Sequence, residues 1–391
     1  MGQSAEPQKL LFAIAGGLVF AYAASLVLLF ANHHWLLDGH GRPLVTDFLA
    51  PFAAGGLAWN GHAVAAYNES LQHGAETALL GHDFDGRLGW PYPPQYFFLL
   101  APLSRLGYAQ AFLLWGLVTA GAYAAVLGMI AKSRNALLAA LAAPWSLACL
   151  MVGQNGFLTA ALMGLALLYL ERRPLVSALA ICLLAYKPQF GFLLPIALMA
   201  GGYYRVAVST ALLLLALGGV TAAVFGAESF AAFWQGLPGA THTLVEQGSV
   251  GWGKLQSVYG LVRWSGGANT MAWLVQGTLT ALAATGVAML WRHAAALPLK
   301  AAGLTAALLL ATPYVFLYDL PLLALPVAFL AREQNLDRVE LALVALAIAA
   351  FIAAALLVAP LAWLGPFALV LATARRYCRK VSPAESVRGA S

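Results

Sequence analysis

Apolar stretches follow one another along the chain with few polar interruptions, at about 9–30, 109–131, 136–152, 156–170, 174–186, 190–203, 206–225, 272–291, 300–314, 320–331, 339–358 and 360–374. Runs that are apolar on every side predict helices in lipid or deep in a core rather than half-exposed surface helices. The pattern therefore predicts an all-α, polytopic transmembrane helical bundle of about 12 spans, forming one domain over residues 1–391. Several runs fall short of the ~20 residues that a full crossing takes. The first is longer than the apolar part of a signal peptide and no small-x-small cleavage site follows it, so a retained signal anchor is expected. Between Pro93 and Leu106 the apolar run lasts only about a dozen residues, which favours a re-entrant or interfacial segment over a crossing.

The longer polar stretches are two loops, 31–108 and 226–271, and a short basic tail at 375–391. Phe48–Trp59 and Ala63–Leu71 inside the first loop are too short to cross and are expected to be helices lying in the interface.

Composition excludes a soluble domain. The chain is 62% hydrophobic and 9% charged, against roughly a quarter charged in soluble proteins. The net charge of +6 serves topology rather than nucleic acid. With a cytoplasmic amino terminus, fifteen of the twenty-one basic residues, from Lys9 to Arg388, fall on the inner side. Arg42, Arg87, Arg105, Lys187, Lys254 and Arg263 are then outside with nine of the fifteen acids, as the positive-inside rule prefers. The expectation is a multi-pass protein of the cytoplasmic membrane, in contact with membrane lipids, with its site facing the periplasm or exterior. Neither the three cysteines (Cys149, Cys182, Cys378) nor the six histidines of the first loop follow a metal-ligand spacing, so no metal and no cofactor is expected.

Candidate chemistry lies on the outer side. Asp47 stands between Thr46 and the run FLAPFAAGG, at the mouth of the membrane domain; a helix N-cap is its alternative reading. Three polar islands interrupt apolar sequence: Gly153-Gln154-Asn155-Gly156, Tyr186-Lys187-Pro188-Gln189, and Thr312-Pro313-Tyr314 through Tyr318-Asp319. A lysine within a helical hairpin is costly near lipid and marks a functional site, unless it snorkels to lipid phosphate. Asp319 is alternatively an N-cap for the stretch from Pro321. Asp47, Gln154, Asn155, Lys187, Gln189, Tyr92, Tyr314, Tyr318 and Asp319 together suit a sugar phosphate. Lys187, helped by Lys254 or Arg263, would neutralise the phosphate, while amides, phenols and a carboxylate bind hydroxyls.

Four runs carry a family likeness: WPYPPQYFFLLAPL at 90–103, VGQNGFLTAALMGLALLYLERRPLVSALAICLLAYKPQFGFLLP at 152–195, GKLQSVYGLVR at 253–263 and TPYVFLYDLPLLALP at 312–326. They resemble glycosyltransferase family 87, polytopic mannosyltransferase-like proteins of the C-type membrane superfamily, over most of residues 10–330. The GQN and YKPQ motifs, with their spacing, are the most specific part. The resemblance implies the C-type fold, a polyprenyl-phosphate sugar donor (often mannose), a lipid or glycan acceptor, metal-independent inverting transfer, and an acid of the first outer loop as base. Asp47 best matches that acid, with Asp38, Asp83 and Asp85 as fallbacks. Where family members tend to carry histidine or a further acid near the last motif, this chain reads Val315-Phe316-Leu317-Tyr318-Asp319. A transporter or flippase for a lipid-linked saccharide is the competing class, though the inverted internal symmetry it predicts is not visible. A polysaccharide polymerase or ligase, built around Glu246, Lys254 and Arg263 of the second loop, is the third.

Overall fold

The computed structural model describes residues 5–86 and 88–388. The fold is all-helical, with 76% of the chain in helix and no strand among the described residues. Each apolar stretch of the sequence coincides with helix, but among the described residues only five helices are long and apolar enough to cross a membrane on their own. They run over Phe12–Ala31, Tyr108–Ala131, Tyr204–Phe225, Asn269–Arg292 and Arg338–Leu357. A sixth crossing exists if Arg134–Ala142 and Pro144–Val152, bent by 62°, count as one. The bend has a covalent cause: Pro144 lacks a donor and forces Ala143 into extended backbone.

The remaining stretches are shorter or broken. Gly156–Tyr169 has 14 residues, about 21 Å of rise against a hydrocarbon core of ~30 Å. The stretch 190–203 holds the seven-residue helix Leu194–Ala200, preceded by a 3-10 turn at Pro188–Phe190. The stretch 320–331 is divided between a 3-10 helix, Leu317–Leu323, and the helix Ala324–Glu333. These breaks carry the polar islands.

Leu297–Ala311 forms the axis of the bundle, with thirteen of its fifteen residues buried. It packs on Asn269–Arg292, Ala324–Glu333 and Leu364–Arg388. The long helices Phe12–Ala31, Tyr204–Phe225 and Asn269–Arg292 are by contrast buried over only 6%, 11% and 11% of their apolar windows, leaving most of their surface to lipid. Lipid is as apolar as a leucine core, so association within the bundle relies on close approach and hydrogen bonds. A Cβ on Gly303 would come within 2.5 Å of Leu290. The Gln276 amide donates to Leu310 O at 2.9 Å, and the Thr280 hydroxyl to Ala311 O at 2.7 Å.

The first loop folds onto the bundle as a protein-covered layer. Leu49–Trp59 is buried at eight of its eleven residues, so it is enclosed rather than afloat in the interface. It packs on Phe97–Leu103, where a Cβ on Gly55 would lie 2.5 Å from Leu100 O. That partner helix has seven residues, about 10 Å of rise, and is too short to cross. The run Ala63–Leu71 is divided by Asn68, which ends the 3-10 helix Ala63–Tyr67 and caps Glu69–Leu80 through Leu71 N at 3.1 Å.

At the far end, the basic positions after 374 extend the helix Leu364–Arg388 instead of trailing as a tail. Arg375 and Arg379 both reach Asp337, at 2.6 and 2.7 Å. Arg376 pairs with Glu340, and Lys380 with Glu333 at 2.7 Å. Asp337 also caps Arg338–Leu357, and the Arg375 guanidinium leads in holding its carboxyl well below the usual carboxylate range. Arg87, counted above among the outer charges, lies outside the described residues, as do the side chains of Lys9 and Arg388.

Candidate active site

Two glycines shape the centre. Pro144–Val152 ends at Gly153 in the left-handed region, φ 69°, which a side chain would strain. A Cβ there would also meet Phe112 at 2.5 Å and Phe48 at 2.8 Å. At Gly156 a Cβ would fall 1.8 Å from Tyr318 O. The Gly153–Gly156 loop is thus wedged between an aromatic floor, Phe48 of the first loop and Phe112 of the helix Tyr108–Ala131, and the backbone of the last polar island.

Asp47 meets this loop across 107 positions of sequence. Its strand of chain is pinned on both sides: Phe48 N donates to Val152 O at 3.1 Å, and Thr46 Oγ1 bonds Tyr108 Oη at 2.8 Å. Trp35 Nε1 donates to Met151 O at 2.9 Å on the same helix end. The N-cap reading of Asp47 fails, because Phe48 holds the cap position of Leu49–Trp59 without any side-chain cap bond. Asp47 Oδ2 instead accepts a long bond, 3.4 Å, from Gln154 Nε2. Gln154 Oε1 in turn accepts from Tyr92 Oη at 3.4 Å and from Asn155 N at 3.2 Å. Half-buried, the Asp47 carboxyl is pushed above the usual value by desolvation, opposed by the Gln154 amide and the Lys254 ammonium.

Lys187 and Asp319 face each other. Lys187 Nζ donates to Asp319 Oδ1 at 2.5 Å and to Asn155 Oδ1 at 2.7 Å. The side chains of Lys187 and Asp319 are 3% and 1% exposed, which removes the snorkelling reading of the lysine. Asp319 Oδ2 accepts from Phe316 N at 3.0 Å, so Asp319 sits inside the first turn of Leu317–Leu323 rather than capping a helix from Pro321. Rings of Phe190 and Tyr318 flank the ammonium, each 5.3 Å away.

An aromatic wall that the sequence reading missed stands beside these groups. Tyr96 stacks on Tyr186 at 4.5 Å and on Trp90 at 5.8 Å. Tyr186 Oη bonds Thr159 Oγ1 at 2.5 Å and donates to Asn155 O at 3.1 Å. A signal existed: Tyr92 and Tyr96 are four apart in WPYPPQY, and Tyr186 adjoins Lys187.

The second loop divides its candidates. Lys254 is exposed at the end of the 3-10 turn Trp252–Lys254. Two residues on, the buried Gln256 fixes that turn by donating from its backbone to Val315 O at 2.6 Å and accepting from Ala362 N at 3.1 Å. Arg263 is committed elsewhere, to Gly267 O and Glu246 O at 3.0 and 3.1 Å, with its guanidinium over Trp252. Tyr314 donates to Thr241 Oγ1 at 2.7 Å and packs against the small cluster of Val245, Leu255 and Tyr259. Gln189 is half-buried and joins no hydrogen bond of the Asp47–Lys187 network among the described residues. The structure therefore gathers Asp47, Tyr92, Gln154, Asn155, Lys187, Tyr318 and Asp319, sets Lys254 within electrostatic reach, and leaves Gln189 and Tyr314 out of the network.

The model of glycosyltransferase family 87 matches residues 90–313, more than half of the chain. The chain belongs to glycosyltransferase family 87. No curated protein and no solved structure matches it. Membership in family 87 implies transfer of a sugar from a donor to an acceptor, and the apolar helices with that membership make this a membrane protein. The family match takes in the Gly153–Gly156 loop, Lys187 and the 253–263 turn, while Asp47 and Asp319 flank it on either side. An open depression of about 550 Å³ in the first loop, lined by residues including His73, Thr77, His82 and Asp83, shares none of these groups. Among the described residues no three His, Cys, Asp or Glu side chains converge as a metal site would require.

Proposed function

We propose that this family 87 chain transfers a hexose, mannose being favoured, from a polyprenyl-phosphate sugar to a hydroxyl of a lipid or glycan acceptor, on the outer face of a C-type bundle of about twelve spans. Asp47 is the base. The acceptor oxygen attacks the anomeric carbon as its proton passes to Asp47, the bond to the phosphate oxygen breaks, and the phosphate leaves with the bonding pair. One displacement inverts the anomeric centre. Lys254 offsets the charge on the departing phosphate; it is an exposed ammonium, whereas Lys187 is buried against Asp319 and Arg263 is held by Glu246 O and Gly267 O.

The observation that carries this reading is the state of Asp47. One carboxylate oxygen is oriented by Gln154, the other accepts no hydrogen bond among the described residues, and partial burial raises its proton affinity. A base works best with its pKa drawn toward the operating pH. The test is transfer of labelled hexose from polyprenyl-phosphate mannose, glucose and arabinose by the protein in lipid, with a total lipid extract as acceptor. Asp47→Asn is expected to lose about 10²–10⁴-fold in turnover while still binding donor. Near-normal turnover by that variant would remove Asp47 from the mechanism, and no transfer by the wild type from any donor would remove the reading itself.

A further inference from the structure

We infer that Lys187 and Asp319 are positioning residues: a buried, mutually neutralised pair that holds Asn155, and through it Gln154 and Asp47, in working geometry without touching substrate. The inference rests on the proposed function and changes what its most specific motif does.

Burial comes first. At 3% and 1% exposure, neither side chain presents the surface that a phosphate or a sugar hydroxyl would need. Donor inventory comes second. Of the three ammonium hydrogens, one goes to Asp319 Oδ1 and one to Asn155 Oδ1, and both oxygens of Asp319 are occupied, by Lys187 and by Phe316 N. Connectivity comes third. Asn155 is 2% exposed, its backbone N–H donates to Gln154 Oε1, and its carbonyl accepts from Tyr186 and Thr159. A shift of Lys187 therefore moves the residue that orients the Gln154 amide on Asp47. The close approach of Gly156 to Tyr318 O leaves the loop no alternative seat.

Removing one member of a buried pair strands the other charge, whereas replacing both by apolar groups is often tolerated. This yields a signature that phosphate binding does not share. In full-length protein in lipid, Lys187→Met and Asp319→Leu each lower kcat on the order of 10²-fold, as a misplacement near 1 Å does, with donor KM changed less than about threefold. The double variant Lys187→Met/Asp319→Leu recovers at least about tenfold over the worse single variant. The acid limb of the pH profile also splits. Asp47 is faced by Lys254 from the second loop, Lys187, Asp319, and the phenols of Tyr92, Tyr108 and Tyr318. Leaving Asp319 alone moves the limb to higher pH, leaving Lys187 alone moves it lower, and the double variant lies between.

Two results overturn the inference: a tenfold or larger rise in donor KM for Lys187→Met with kcat retained, or a double variant no better than the worse single one. Amide exchange over Gly153–Gly156 decides the same point without activity. Faster exchange in each single variant and recovery in the double variant supports the strut, and unchanged exchange in the single variants overturns it. Should the wild type transfer no sugar, the exchange result still stands by itself, so a failure of the proposed function is distinguishable from a failure of the strut.

Discussion

Gly156→Ala is a test in which one methyl group should disable the site. Gly156 opens the helix Gly156–Tyr169 with ordinary negative φ, so alanine suits the backbone and the effect is steric alone. The added Cβ would lie 1.8 Å from Tyr318 O, 3.0 Å from Tyr318 C and 3.2 Å from Cys149 Sγ. Neither of the nearest atoms belongs to a side chain that can rotate away. Restoring even a 3.0 Å separation needs a backbone shift of at least about 1.2 Å. Directed along the Lys187–Asp319 bond, that shift would stretch 2.5 Å to a length at which no hydrogen bond remains. Overpacking of this kind costs roughly 1–3 kcal/mol in stability, and displacement of a reacting group by about 1 Å costs on the order of 10²-fold in rate. The assay is steady-state hexose transfer beside thermal unfolding in the same lipid. Gly218→Ala is the control: that glycine lies in the long helix Tyr204–Phe225 with nothing within 4 Å of its Cβ position, so alanine should leave kcat unchanged and stabilise by about 0.5–1 kcal/mol. A Gly156→Ala protein with wild-type kcat would refute the close approach on which the site geometry depends.

Three further outcomes are expected. Because burial raises the Asp47 carboxyl and the base must be ionised, the acid limb of kcat/KM should lie above the range of a free aspartate, with activity lost as pH falls through the raised pKa. Lys254→Ala removes a charge that lowers that pKa and should move the limb further up while raising donor KM; a limb that does not move would exclude the electrostatic contact. Arg376→Ala strands Glu340, whose side chain is 3% exposed, and should cost about 3–5 kcal/mol with kcat per folded molecule unaltered, read by thermal unfolding and active-fraction titration. Chelation with EDTA should leave transfer unchanged, and a loss restored by one divalent metal would require a metal step.

The sequence carries the helices because an apolar run records its burial residue by residue. It also carries the likeness to family 87, since GQN and YKPQ stand at the two ends of one helical hairpin, Gly156–Tyr169 and Pro174–Leu184. What it does not carry is partnership. Nothing local to Lys187 announces that its counter-ion is 132 residues away, so the sequence alone offers the lysine only as a phosphate ligand or a snorkelling residue. Arg263 and Tyr314 look like site residues for the same reason: each is polar and near a motif, and each is consumed by a neighbouring segment. Asp47 is legible as a candidate because a carboxylate at the edge of an apolar run has few structural reasons to be there. The enclosure of Leu49–Trp59 is not, since a helix covered by protein and one covered by lipid have the same composition.

The bond between Lys187 and Asp319 also orders the making of the protein in time. At about 5–20 residues per second, the ribosome takes roughly 7–26 s to pass from one to the other. During that interval the lysine is without the carboxylate that it hydrogen-bonds in the finished fold. The centre of the site is therefore completed late, when the last polar island arrives, and a nascent chain stopped before residue 319 would hold every helix of the hairpin yet lack the ion-pair partner of Lys187.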